Sequence, residues 1–187
     1  MSAAIPFRMR QCVNALIGDG VVACPTEAVW GLSCDPYSDS AVERVLALKD
    51  RPAEKGLILV AADESQLEFL LKDLPDTLRC KISVSWPGPN TWLVPHHGRV
   101  PPLVHGRFDS VAVRVSGHPL VRHLCKAYGS PLVSTSANRA GAPAPKTLFA
   151  VRRYFGDCLD AVLPGALGGV ARPSTIRDVY SDEVFRA

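Results

Sequence analysis

Apolar and polar positions follow two different periods along this chain. From residue 7 to 17 apolar side chains recur every three or four positions, the spacing of a helix with one buried face. Gly18 and Gly20 stop it. Val21–Cys24 is short and wholly apolar, as in a strand buried on both faces. Helical spacing returns over Ala41–Lys49, with Ser38 or Ser40 as cap and Pro52 as stop. It recurs over Gln66–Lys72, over Leu120–Tyr128 before Gly129, and over Leu148–Phe155. Gly56–Ala61, Thr91–Val94, Val111–Val115 and Leu132–Thr135 read as strands, and Ala161–Leu163, Ile176–Val179 and Val184–Arg186 as short strand candidates. Helices alternating with strands predict an α/β fold with helices packed on a sheet. Short connections between some strands make that sheet a mixed one. No repeat, low-complexity tract or linker interrupts residues 1–187, so a single domain is expected. Pro95–Asp109, with Pro95, Pro101 and Pro102, reads as a long mobile loop.

Composition narrows the class. The chain has 187 residues, 47% hydrophobic and 21% charged, enough for one domain with a sizeable core. No apolar run approaches the ~20 residues of a membrane span. The first ten residues lack the apolar stretch of a secretory signal. Cys12, Cys24, Cys34, Cys80, Cys125 and Cys158 form no CxxC pair, which argues against a zinc site or disulfide scaffold and fits a reduced cytoplasm. A net charge of +3 suits polyanionic ligands without proving nucleic-acid binding.

The candidate chemistry lies where apolar strands run into polar residues. In Pro131-Leu-Val-Ser-Thr-Ser-Ala-Asn138, extended geometry puts Ser134, Ser136 and Asn138 on one face and Thr135 on the other. A core strand has no use for a row of polar groups, because each costs free energy unless hydrogen-bonded. Either the strand opens into a ligand pocket or the segment is a turn bonding its own backbone. Pro25-Thr26-Glu27-Ala-Val-Trp30-Gly31-Leu32 and Pro173-Ser174-Thr175-Ile176 are similar junctions. Lys49, Arg51 and Lys55 cluster after a predicted helix, where cations also complement the helix dipole. Arg114 lies inside Val111–Val115 and needs an anion, either an internal carboxylate or a bound carboxylate or phosphate.

Other motifs are absent. Gly141–Thr147 lacks the glycine that a P-loop carries before its lysine, and there is no GxGxxG or HExxH. His96-His97 reads as a solvated pair, and no serine has a histidine partner that would suggest a hydrolase triad.

Taken in order, Pro25–Leu32, Lys49-Asp-Arg51, Trp86-Pro-Gly-Pro-Asn-Thr91, Val111-Ala-Val-Arg114, Ser134–Asn138 and Pro173–Ile176 resemble the YrdC/TsaC family. The likeness runs from about Val21 to Arg186 and matches the short, single-domain bacterial form. It departs at Trp30, where Tyr or Phe is usual, at Asn90, and at Arg139-Ala140-Gly141. The resemblance implies a twisted mixed sheet around a concave basic cavity. It implies a threonylcarbamoyl-AMP synthase, a nucleotidyltransferase that combines L-threonine, bicarbonate or CO2, and ATP, and releases diphosphate. Mg2+ would enter with ATP. Partner proteins would use the adenylate to modify the tRNA adenosine beside the anticodon. By the same resemblance Lys49 and Arg51 would be catalytic and would hold ATP phosphates with Lys55. Ser134, Ser136 and Asn138 would hold nucleotide and substrate polar groups. Thr26, Arg114 and Ser174 would contact threonine, with Arg114 on its carboxylate, and Arg186 would reach the nucleotide. Direct contact with tRNA or double-stranded RNA would also suit a basic cavity. One competing reading is a carbamoyl-transfer module that handles carbamoyl adenylate, which usually belongs to a much larger multidomain chain. The other is a non-catalytic module using the same basic cavity on tRNA or ribosomal RNA. The chain lacks an RGG tract or an aromatic stacking platform to support it.

Overall fold

The computed structural model describes residues 6–186. A helix α1 (Phe7–Ile17) leads into the hairpin β1 (Val22–Pro25) and β2 (Trp30–Ser33), then α2 (Asp39–Leu48) and β3 (Ile58–Ala61). Two helices follow, α3 (Glu68–Leu71) and α4 (Asp76–Ser85), then β4 (Asn90–Pro95), the single turn α5 (Pro102–His105) and β5 (Ser110–Val115). The chain continues through α6 (Pro119–Tyr128), β6 (Leu132–Ser136), α7 (Leu148–Phe155), β7 (Ala161–Val162), β8 (Thr175–Asp178) and β9 (Val184–Arg186). Ser38 caps α2, its hydroxyl accepting from the Ala41 N–H, and Gly129 ends α6 in the left-handed conformation.

The strands form a nine-stranded sheet in the order β7-β1-β2-β6-β3-β5-β4-β8-β9. The β1–β7, β3–β5 and β4–β8 pairs are parallel and the others antiparallel, so the sheet is mixed. Three elements were not apparent in the sequence. β2 is too short and too uniformly buried to show a period. α5 is one turn inside the expected loop 95–109. α4 has only Ile82 fully buried, so its apolar stripe is thin.

Period-two alternation distributes the core over both faces. Val22, Cys24, Val60, Ala62 and Leu132 pack with α1 and α6 through Met9, Cys12, Leu16, Val121, Leu124 and Cys125. Ala23, Leu59, Ala61, Val113, Val115 and Val133 pack on the opposite face against α2, α3, α4 and α7. The face under α1 and α6 continues along the same strands as Ile58, Ala112, Arg114, Ser134 and Ser136, and there these residues line a cavity. The sheet is thus covered by helices along part of this face and open along the rest.

Loops wall the open part. The Pro52–Gly56 turn and the C-terminal end of α5 are locked together by Leu57 N–H to Val104 O at 2.7 Å and Arg107 N–H to Glu54 O at 3.3 Å. Gly106 has φ +68°, and a Cβ there would lie 2.6 Å from Glu54 O and 2.7 Å from Gly56 N. Only glycine permits this approach. Gly106→Ala is therefore expected to cost more than ~1 kcal/mol, through both the strained φ and the clash. Thermal melting checks this, and a melting temperature equal to wild type would contradict it.

Candidate active site

The cavity has a volume of about 460 Å³, within the range of small-molecule sites. Its floor is the open sheet face. Its walls are the Thr26–Val29 turn, the Arg51–Leu57 loop, the α5 end with His105 and Phe108, and the strands' far end with Arg172, Pro173, Ser174, Phe185 and Arg186. The charged lining residues are Arg51, Lys55, Arg114, Arg172 and Arg186, against Glu27 and Asp178. Asp178 is committed to its own turn, accepting from the N–H groups of Tyr180 and Ser181, both at 2.9 Å. Burial, and then the nearby Arg114 and Arg51, push the Arg186 guanidinium below the ordinary arginine range; burial does the same to Arg51. Like charges gathered at a concave, low-dielectric surface focus a field that attracts anions.

Two of these cations, Arg51 and Arg186, are held by backbone oxygens. Arg51 donates from Nε and Nη2 to Gly56 O, at 3.1 and 2.8 Å, tying its loop into a fixed shape. Arg186 donates from Nε to Ser174 O at 2.9 Å and from Nη2 to Ser174 Oγ at 3.0 Å, and that hydroxyl pairs with Thr91 Oγ1 at 2.8 Å. Thr26 donates its hydroxyl to Val29 O at 2.7 Å, closing the β1–β2 turn.

The sequence expected Thr26, Arg51, Lys55, Arg114, Ser134, Ser136, Ser174 and Arg186 at the site, and the structure brings all of them to the cavity wall. Lys49 and Asn138 do not line it. Lys49 is only 4% exposed, and its ammonium donates to Ser136 O and, at 2.8 Å, to Asn138 O. It stands behind the end of β6 rather than as a solvated helix-end cation. Asn138 turns onto its own loop, donating from Nδ2 to Ala142 O at 2.6 Å and Arg139 O at 3.0 Å. His96, expected as half of a solvated pair, stacks on His105 with ring centroids 3.9 Å apart. Burial pushes the Cys24 and Cys34 thiols up to about 12, leaving them protonated and without nucleophilic character.

Glu27 is the principal residue that sequence reasoning left out of the site. Its carboxylate lies 3.2 Å from Arg114 Nη1, with both side chains 8% exposed. Oε1 also accepts from Ser116 Oγ at 2.8 Å and Gly117 N–H at 2.9 Å. Burial alone would raise this carboxyl, but Arg114, Ser116 and Gly117 outweigh it and hold it below the ordinary glutamate range. The anion that Arg114 requires is therefore internal. His105, Phe108 and Arg172 also line the cavity without having been singled out. Phe108 was not distinguishable from a core aromatic, whereas Arg172, directly before the Pro173-Ser174 junction, was the readable signal.

The fold is thus an α/β domain whose mixed sheet is open on one face over a largely cationic cavity. A family model described as telomere recombination, the Sua5, YciO and YrdC group, matches residues 14–187, and the chain belongs to that family. It is 54% identical over 184 residues to the threonylcarbamoyl-AMP synthase of Saccharophagus degradans, covering 98% of this chain and 96% of the relative. It is 58% identical over 180 residues to the threonylcarbamoyl-AMP synthase of Pseudomonas aeruginosa strain UCBPP-PA14, covering 96% and 97%. Among solved structures it resembles P. abyssi Sua5 complexed with L-threonine, with a TM-score of 0.85 and 32% identity over 91% of this chain. The chain spans 50% of that protein's length. E. coli YciO shares the fold at a TM-score of 0.81 and 22% identity, covering 95% of this chain and 87% of that one.

Two stability predictions follow from the buried charges. Arg114→Ala strands the Glu27 carboxylate and should cost on the order of 3–5 kcal/mol, read as a lowered melting temperature. Lys49→Met leaves the carbonyls of Ser136 and Asn138 without their donor and should cost ~1–3 kcal/mol. The Lys49 effect depends on pH. Burial, and then Arg51, push the folded-state ammonium from 10.5 down to about 8. Between those values the unfolded chain binds more protons, so the stability contribution of this group rises with pH. Melts from pH 8 to 10 should show wild type gaining on Lys49→Met. A constant or shrinking difference would contradict the assignment.

Proposed function

We propose that this protein makes threonylcarbamoyl-AMP from L-threonine, bicarbonate or CO2, and ATP, with release of diphosphate. The observation that carries this reading is the 58% identity to a protein of that name across nearly both whole chains, joined to a cationic cavity of fitting size. The chemistry asks little of the protein in covalent terms. The threonine amine adds to CO2, forming an N–C bond and releasing a proton to give a carbamate. A carbamate oxygen attacks the α-phosphorus, the bond to the bridging oxygen breaks, and diphosphate leaves with its electron pair. The site must hold these groups in line and stabilise the charge that develops on phosphorus and diphosphate.

Arg51, Lys55 and Arg186 fit the phosphate role, with Arg172 beside them. Ser134 and Ser136 offer hydroxyls along the floor for nucleotide and substrate polar groups. Thr26, Ser174 and Arg114 fit the amino acid, with part of the Arg114 charge already balanced by Glu27. Lys49 acts from behind, fixing the end of β6 on which Ser136 stands. Mg2+ enters bound to ATP as part of the substrate and supplies further charge neutralisation. Among the described residues no cluster of three or more His, Cys, Asp or Glu is arranged to hold a metal, which is compatible with ligation by the phosphates. The adenylate would pass to proteins that modify tRNA. Among the described residues no helix is long and apolar enough to cross a membrane. The reading carries with it a reaction in the cytoplasm, where free cysteines stay reduced.

Purified protein with MgATP and bicarbonate should release diphosphate only when L-threonine is added, and serine should substitute poorly. A coupled diphosphate assay reads this. Equal release without threonine, or none under any condition, would sink the proposal. In the latter case, salt-sensitive RNA binding would favour the RNA-module reading.

A further inference from the structure

Glu27 occupies a position that the proposed chemistry does not use directly. Its Oε2 is sealed from solvent and has no hydrogen bond beyond the ion pair, while Oε1 is covered by Ser116 and Gly117. No ligand reaches either oxygen in this arrangement. Arg114 does line the cavity, and its Nε is likewise buried and unpartnered, so its contact with Glu27 runs through Nη1 alone. The residue is fixed at both ends: Ser116 and Gly117 at the entrance to α6 hold the carboxylate at Oε1, and the Glu27 backbone carbonyl accepts from Val170 N–H at 3.1 Å.

We infer that Glu27 is a positioning residue for the amino-acid end of the cavity. It fixes the orientation of the Arg114 guanidinium and offsets its charge. The pair is anchored on one side only, through Arg114 Nη1, so the rest of the guanidinium is left to face the cavity that Arg114 lines. The inference rests on the reading of the protein as a threonine-consuming synthase and deepens it to the residue that orients Arg114 for the amino acid.

The test compares wild type, Glu27→Gln, Glu27→Asp and the double variant Glu27→Gln/Arg114→Met. Diphosphate release is measured with L-threonine and ATP varied separately, and melting temperatures are recorded beside it. Glu27→Gln keeps the shape and the Gly117 contact but removes the charge. It is expected to raise the KM for L-threonine roughly tenfold or more while the KM for ATP stays within about twofold. Glu27→Asp retains the charge one methylene further back and should fall between the two. The double variant, with no stranded charge, should melt closer to wild type than Glu27→Gln yet still fail to saturate with threonine. A merely structural Glu27 would move both KM values together or neither, and recovery of the fold would then recover threonine affinity. If Glu27→Gln does not fold, Glu27→Asp decides, and a threonine KM equal to wild type overturns the inference. A wild type that neither binds L-threonine in calorimetry nor turns it over overturns the synthase reading and this inference with it. A threonine-dependent wild type beside an unaltered Glu27 variant overturns the inference alone.

Discussion

A guanidinium on an inner strand of a nine-stranded sheet is the constraint around which this protein is arranged. Arg114 is 7% exposed, and a buried charge without a partner costs several kcal/mol. The β1–β2 turn answers it by bringing Glu27 to 3.2 Å. That carboxylate needs partners of its own, which Ser116 and Gly117 supply at the start of α6. One ion pair thus ties the first hairpin, the strand β5 and the helix α6 at a single point, and that point is the inner end of the cavity.

The cavity exists because the helical cover stops short. α1 and α6 pack over Val60, Ala62 and Leu132; two residues along β3 and β6 the same face presents Ile58 and Ser134, and on the neighbouring β5 it presents Arg114. Alternation along each strand makes the change abrupt without altering the backbone. The opposite face carries the larger apolar cluster, which gives the open part a packed support. Polar side chains mounted on strands are held more firmly than they would be on loops, which suits a reaction that relies on positioning and preorganised charge.

Cations in the site differ in what they hold. Arg51 and Arg186 each fold back on backbone oxygens, which fixes them in the cavity wall. Lys49 is a residue of the same motif as Arg51 but does not line the cavity and is joined to the backbone at the end of β6. Within the Lys49-Asp-Arg51 motif one cation is thus bonded to the end of β6 and the other lines the cavity, with the chain turning between them at Asp50, whose φ is +50°.

The sequence by itself determined the local layer of this protein. Apolar period, caps and stops marked α1, α2, α6, α7 and most strands, because each of these elements buries one face or one short run and so carries its period in its own residues. The polar ends of β6 and of the β1–β2 segment, and the arginine in β5, were legible as candidate chemistry for the same reason: they break an apolar pattern. Their ordered spacing also gave the family resemblance. Tertiary structure decided the rest. α4, with only Ile82 fully buried, and the four-residue β2 exist through packing and pairing that no local window contains. Whether Arg114 met an internal or an external anion depended on a turn far away along the chain. Lys49 and Asn138 matched their motifs, yet the fold bonds both to backbone oxygens outside the cavity lining. A pattern in sequence reports which residues are polar among apolar neighbours, but which side of a wall they reach is fixed by the paths of other segments, and that is settled only when the chain closes on itself.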